Sequence, residues 1–109
     1  MACSVMMGKD YPGEKSRRCG FFKDGIYIQK VEIVGRRIVV SDPLNRVVYT
    51  SEALDALNGY SVQQIGAVRS AQSGKLVVSI GGFYAGDDGM QSMVIATPYA
   101  VAEPVEFRG

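Results

Sequence analysis

Apolar residues in this chain recur at every second position in several separate stretches, the period of a strand that buries one face. Leu76, Val78 and Ile80 hold one such face. Ile26 and Ile28 hold another, and Val31 and Ile33 continue it out of phase. The two consecutive polar residues Gln29-Lys30 mark the slip, and one inserted residue restores the phase, which predicts a β-bulge near Gln29-Lys30. Gly35 opens a turn into a second strand at Ile38–Val40. Ser41-Asp42-Pro43-Leu44-Asn45 is turn chemistry, because Asp and Asn bond nearby backbone and Pro presets φ. Val47–Tyr49 form a third strand.

One short helix is expected next. Ser51 can cap it, Glu52 suits its positive end, Ala53-Leu54 and Ala56-Leu57 give an apolar side, and Gly59 supplies the stop. The run from Val62 to Arg69 reads as a strand, although Val62, Ile65 and Val68 also fit a helical spacing. Ala71–Gly74 turns the chain. Gly81-Gly82 weakens and bends the following strand, and Ala85-Gly86-Asp87-Asp88-Gly89 is a hairpin loop.

The C-terminal segment keeps its phase longest. Met93, Ile95, Tyr99, Val101, Val105 and Phe107 all fall on odd positions, and Pro98 and Pro104 on even ones. Proline donates no ladder bond, so residues 98–109 are expected at a sheet edge or as an extended arm. Tyr99, Val101, Val105 and Phe107 are the candidate partner-binding residues of that arm.

The expected fold is mainly β: a small barrel or sandwich of about six strands with one short helix, in the order β-β-β-α-β-β-β, with extended N- and C-terminal arms. Residues 1–24 read as a basic, flexible leader attached through Phe21-Phe22, and residues 25–109 as a single β domain.

Composition agrees. A chain of 109 residues with 47 % hydrophobic residues can build one core without a metal or disulfide to hold it. No apolar stretch approaches the ~20 residues that span a bilayer. Met1–Gly8 lacks a basic segment followed by a long apolar one, so the expectation is a cytoplasmic protein with no membrane partner. Cys3 and Cys19 lack metal-ligand or Cys-x-x-Cys spacing; in a reducing compartment they would be thiols, and a bridge between them would instead tie down the N-terminal segment.

Charge changes the picture more. The net charge is +1, but residues 1–50 hold nine Lys or Arg against five Asp or Glu, and residues 51–109 hold three against six. Such asymmetry points either to nucleic acid or to basic and acidic surfaces that meet between copies. The candidate nucleic-acid residues are Lys15, Arg17, Arg18, Lys23, Arg36 and Arg37, interleaved with Tyr11, Phe21, Phe22 and Tyr27. Cations there would neutralise phosphates and aromatics would stack on bases.

Catalytic chemistry is thin. Histidine is absent, which removes the commonest base and metal ligand and excludes a Ser-His-Asp or Cys-His site within one chain. Asp87-Asp88 is the one adjacent carboxylate pair, and it reads as a solvated hairpin tip rather than a cation site. The glycines at 81, 82, 86 and 89 match neither phosphate-binding fingerprint, because no helix follows them. Cys19 beside Arg17-Arg18 reads as an inert thiol.

The sequence therefore points to a non-catalytic binding or structural module that self-assembles or binds a protein partner, with no cofactor. The alternatives are a nucleic-acid-binding small barrel with a basic N-terminal arm, and a small-molecule-binding barrel or enzyme whose site is shared between subunits.

Overall fold

A computed structural model of the chain describes residues 18–23, 26–87, 89–102 and 106–108. It is mainly β, with all strand pairs antiparallel. The strands are β1 (Arg18–Lys23), β2 (Ile26–Val34), β3 (Arg37–Ser41), β4 (Val47–Thr50), β5 (Tyr60–Arg69), β6 (Lys75–Tyr84), β7 (Gln91–Ala100) and β8 (Glu106–Arg108). They form two sheets, in the orders β4-β3-β2-β1-β8 and β5-β6-β7. Among the described residues the sheets do not close into a barrel. No helix among them is long and apolar enough to cross a membrane.

In the first sheet the predicted phase slip is present. Phe21 pairs with Gln29 and Phe22 with Tyr27, so Ile28 is the extra residue of a bulge beside Gln29. Past it, Val31 and Ile33 are buried while Lys30 and Glu32 face outward. The β3–β4 turn follows its chemistry: Asp42 Oδ1 accepts the N–H groups of Leu44 and Arg46, each at 2.9 Å, and Oδ2 accepts Arg46 Nε at 2.8 Å. These bonds, first the one from the Arg46 backbone, hold the Asp42 carboxyl below its ordinary pKa.

Three expectations are corrected. First, the segment around Ser51 is not an α-helix: only a 3-10 turn, Asp55–Leu57, forms. The backbone before it is already committed to β3, because Ser51 N donates to Ile38 O at 2.8 Å and Leu54 N to Arg36 O at 2.9 Å. Ser51 Oγ accepts the Ile38 N–H at 2.8 Å and donates to Glu52 O at 2.8 Å, so its side chain extends the sheet instead of capping a helix. Gly59 still ends the turn, at φ +72°.

Second, the boundary expected after residue 24 falls inside the β1–β2 hairpin. Arg18–Lys23 is a strand, and Phe21 is fully buried. The buried ring and the ladders to β2 and β8 together hold this segment in the sheet. Third, Cys19 is disulfide-bonded and fully buried, not a thiol. Cys3, the other cysteine, lies outside the described residues.

The ambiguous run 62–69 is a strand. Val62 pairs with Gly82 and Gln64 with Gly81, which leaves Gln63 as the extra residue of a bulge. Val62 and Ile65 are both buried because the bulge adds one residue to the two-residue period. A bulged strand thus imitates the spacing of a helix. Opposite the bulge the backbones come close: a Cβ on Gly82 would lie 2.0 Å from Ser61 O.

Buried residues of both sheets, among them Phe21, Val31, Ile38, Ile65, Leu76 and Ile80, form one cluster. The chain passes from the first sheet to the second through the 3-10 turn, and returns after β7 to place β8 beside β1.

Candidate functional site

The feature that separates the two sheets is charge. On the outward face of the first, Arg18 lies opposite Glu32, Arg37 lies opposite Val34, and Lys30 pairs with Glu32 at 3.4 Å. On the second, three strands of ten residues each carry only two charged residues, Arg69 and Lys75. Both lie at the same end, where Arg69 is opposite Leu76 and Lys75 opposite Ala100.

Register fixes what that second face presents. Ile65, Ile80 and Met93 form one cross-strand row, and Ala67, Val78 and Ile95 another, both directed to the core. Between them the outward rows are Gly66, Ser79 and Val94, then Val68, Val77 and Ala96. A solvated sheet face ordinarily alternates with polar and charged residues. Here its residues are small and uncharged, and Val94 is 71 % exposed.

The margin of this sheet is β7. It is an edge strand, ten residues long, with no charge in Gln91–Ala100. Edges are commonly protected by charges, prolines, bulges or shortness. In β7 such protection sits at one end, where Pro98 falls beside the register shift between Lys75 and Val77. From Gln91 to Ala96 the ladder to β6 is regular.

The C-terminal candidates occupy other roles than those of a free arm. Tyr99 is half-buried, its ring 5.4 Å from that of Tyr49, and its hydroxyl accepts a hydrogen bond from Gln29. It ties β7 to the first sheet. Val101 is buried, its N–H donates to Gly74 O at 2.8 Å, and its carbonyl accepts Arg69 Nε at 2.7 Å. Phe107 belongs to β8 and pairs in register with Phe21 of β1 in the same chain. Val105 lies outside the described residues. From Met93 to Val101 the odd-numbered residues Met93, Ile95, Tyr99 and Val101 pack on the core of this chain.

The basic candidates are brought together in part. Arg18, Arg36 and Arg37 share the end of the first sheet at the β2–β3 turn, and Lys23 ends β1 at the far side. Arg37 donates to Ser51 O at 2.8 Å, and Arg36 lies 3.8 Å from Asp55. Lys15 and Arg17 lie outside the described residues.

A cleft of about 270 Å³ opens between β4 and β7, lined by Tyr49, Thr50, Glu52, Leu54, Ile95 and Thr97 among others. Two of its hydroxyls are engaged in structure: Ser51 Oγ as above, and Thr97 Oγ1 on Leu76 O at 2.9 Å. Asp87 accepts from Gln91 Nε2 at 3.2 Å at an exposed hairpin, and no metal-sized group of three His, Cys, Asp or Glu occurs among the described residues.

The uncharged face of the second sheet was missed in the sequence, which placed only the Pro-marked C-terminal segment at an edge. A signal was present nonetheless: no charged residue occurs from Ala56 to Val68, Leu76 to Gly86, or Gly89 to Ala102. No protein family, no curated protein and no solved structure matches the chain.

Proposed function

We propose that this chain is a non-catalytic assembly module that associates with protein, first with copies of itself, through the second sheet. One observation carries the reading: three adjacent ten-residue strands present a face and, among the described residues, an open edge, with charge only at one end. Removing such surface from water costs no desolvation of charge, and interface centres are depleted in charged residues. The absence of histidine supports binding over chemistry.

Size-exclusion chromatography with light scattering, recorded at 260 and 280 nm, tests this. A mass that rises with concentration, without excess 260 nm absorbance, supports assembly. A monomer at every concentration overturns it.

The gathering of Arg18, Arg36 and Arg37 favours nucleic-acid binding as the second reading. It requires a complex that absorbs strongly at 260 nm and dissociates steeply with salt. The double variant Arg36→Ala, Arg37→Ala would weaken that complex and leave self-association unchanged.

A further inference from the structure

We infer that two copies join by antiparallel pairing of β7 with β7 about a two-fold axis at Val94, making one continuous six-stranded sheet. This deepens the assembly reading above and rests on it.

The choice of strand follows from the edges available. Among the described residues each sheet has two: β4 and β8 in the first, β5 and β7 in the second. β4 has four residues and β8 three, too few for a substantial ladder. β5 has ten, but the bulge at Gln63 interrupts it and Arg69 ends it. β7 combines length, regular pleat and no charge.

The register follows from what limits β7. The hairpin bounds it before Gln91, and Pro98, which has no N–H to donate, bounds it after Thr97. The stretch Gln91–Thr97 is centred on Val94. Antiparallel pairing about that centre sets Gln91 opposite Thr97, Ser92 opposite Ala96, Met93 opposite Ile95, and Val94 opposite itself. Both prolines then fall outside the shared ladder. Val94, 71 % exposed in the single chain, meets its own copy on the axis. Like charges would face each other in such an arrangement, and β7 has none.

Charge at the ends selects a second copy as the occupant. Lys75 and Arg69 mark the end of the sheet at Ala100, and Asp87 marks the other end, its N–H on Tyr84 O at 3.1 Å and its carboxylate on Gln91. Antiparallel pairing about Val94 brings the basic end of each copy to the acidic hairpin of the other, twice by symmetry. Lys75 lies one strand in from Ala100, so its backbone sits about 10 Å, two strand spacings, from the partner's hairpin. An extended lysine and an aspartate span that distance. The contact is isologous and closes on itself, which yields a dimer rather than a filament.

The test reads the register. Directly opposed residues of an antiparallel pair have Cα atoms about 4.5–5.5 Å apart, within disulfide range. Val94→Cys is therefore expected to cross-link to a covalent dimer under mild oxidation, above a wild-type blank. Ala96→Cys, which would lie about 14 Å from its own copy, is expected not to, while a mixture of Ser92→Cys and Ala96→Cys chains does. Val94→Lys places two ammonium groups on the axis and is expected to raise the dimer dissociation constant at least about tenfold, with the circular dichroism spectrum unchanged.

Cross-linking of Ala96→Cys as readily as Val94→Cys overturns this geometry. So does wild-type association that persists in Val94→Lys without a Val94→Cys dimer, and that result leaves the assembly reading standing. A wild-type monomer throughout overturns both.

Discussion

Replacing Gly82 with alanine adds one methyl group where β6 passes closest to the bulge of β5. The new Cβ would lie 2.0 Å from Ser61 O and 3.0 Å from Tyr60 Cε2. Carbon and oxygen in contact rest at about 3.3 Å or more, so the strands must part by on the order of 1 Å. The obstacle is a backbone oxygen, fixed in a ladder, and cannot swing aside. Overpacking of this kind costs about 1–3 kcal/mol, and each ladder bond that stretches open costs about 1 kcal/mol more. Against this, alanine in place of glycine restricts the unfolded chain and returns about 0.4–1 kcal/mol. The expected net loss is about 2–4 kcal/mol. Gly81→Ala is the matched control: its Cβ would meet Gln64 Nε2 at 2.9 Å and Cγ at 3.0 Å, but Gln64 is an exposed side chain that can rotate away. That variant should stay within about 1 kcal/mol of wild type. Urea unfolding followed by far-ultraviolet circular dichroism measures both, since the chain has no tryptophan to report. Gly82→Ala is expected to shift the midpoint down by about 1 M or more. A wild-type midpoint for Gly82→Ala, or an equal loss in Gly81→Ala, would refute the close-approach reasoning.

Two further outcomes follow from buried polar groups. Ser51→Ala leaves the Ile38 N–H without the acceptor that holds it at 2.8 Å, and should cost about 1–3 kcal/mol in the same urea assay. The exposed Ser79→Ala should cost less than about 0.5 kcal/mol, and equal losses at the two sites would contradict the role given to Ser51. Tyr60 is buried, its hydroxyl donates to Gln91 O at 2.5 Å, and burial, with Tyr84 beside it at 4.9 Å, raises its pKa. Its contribution to stability is thus fully present below the ordinary tyrosine value of about 10 and is lost as pH rises through the higher folded value. Absorbance titration should show one of the six tyrosines ionising late, and Tyr60→Phe should remove that step. A late step that survives in Tyr60→Phe would assign it elsewhere.

Much of the strand pattern was legible because burial on one face imposes a period of two. Leu76, Val78 and Ile80 read as a core face and are one. The slip at Gln29-Lys30 read as a bulge, and the bulge is at Ile28. The run 62–69 was ambiguous for a physical reason. A bulge between two buried residues changes their spacing from two to three, and three is also a helical interval. Only the pairing of Val62 with Gly82 and Gln64 with Gly81 separates the two cases.

The helix at 51–59 shows the opposite failure. Ser51, Glu52 and the two Ala-Leu pairs carry the local marks of a helix start. A helix this short gains little from propensity alone. The bonds to Ile38 and Arg36 are made by residues more than ten positions away in sequence, and they win the backbone first. The C-terminal segment was read in its phase and as an edge, but its pairing within its own chain was not. Tyr99, Val101 and Phe107 do lie in extended chain or beside it, yet their contacts are Tyr49, Gly74 and Phe21 of the same molecule.

The candidate site was hidden because its signal is an absence. Uncharged residues on three strands attract no notice until the register sets them side by side and leaves β7 at the margin. By itself, the sequence determined the β class, the turns at Asp42 and Gly35, and the core faces at Val31–Ile33 and Leu76–Ile80, because these depend on residue type and local spacing, whereas Ile26, read as a core residue, is exposed. Only the tertiary structure decided which strands are edges, where Ser51 spends its hydrogen bonds and which uncharged rows meet on one face. Those outcomes depend on pairings between distant segments, and alternation along one strand carries no information about its neighbour.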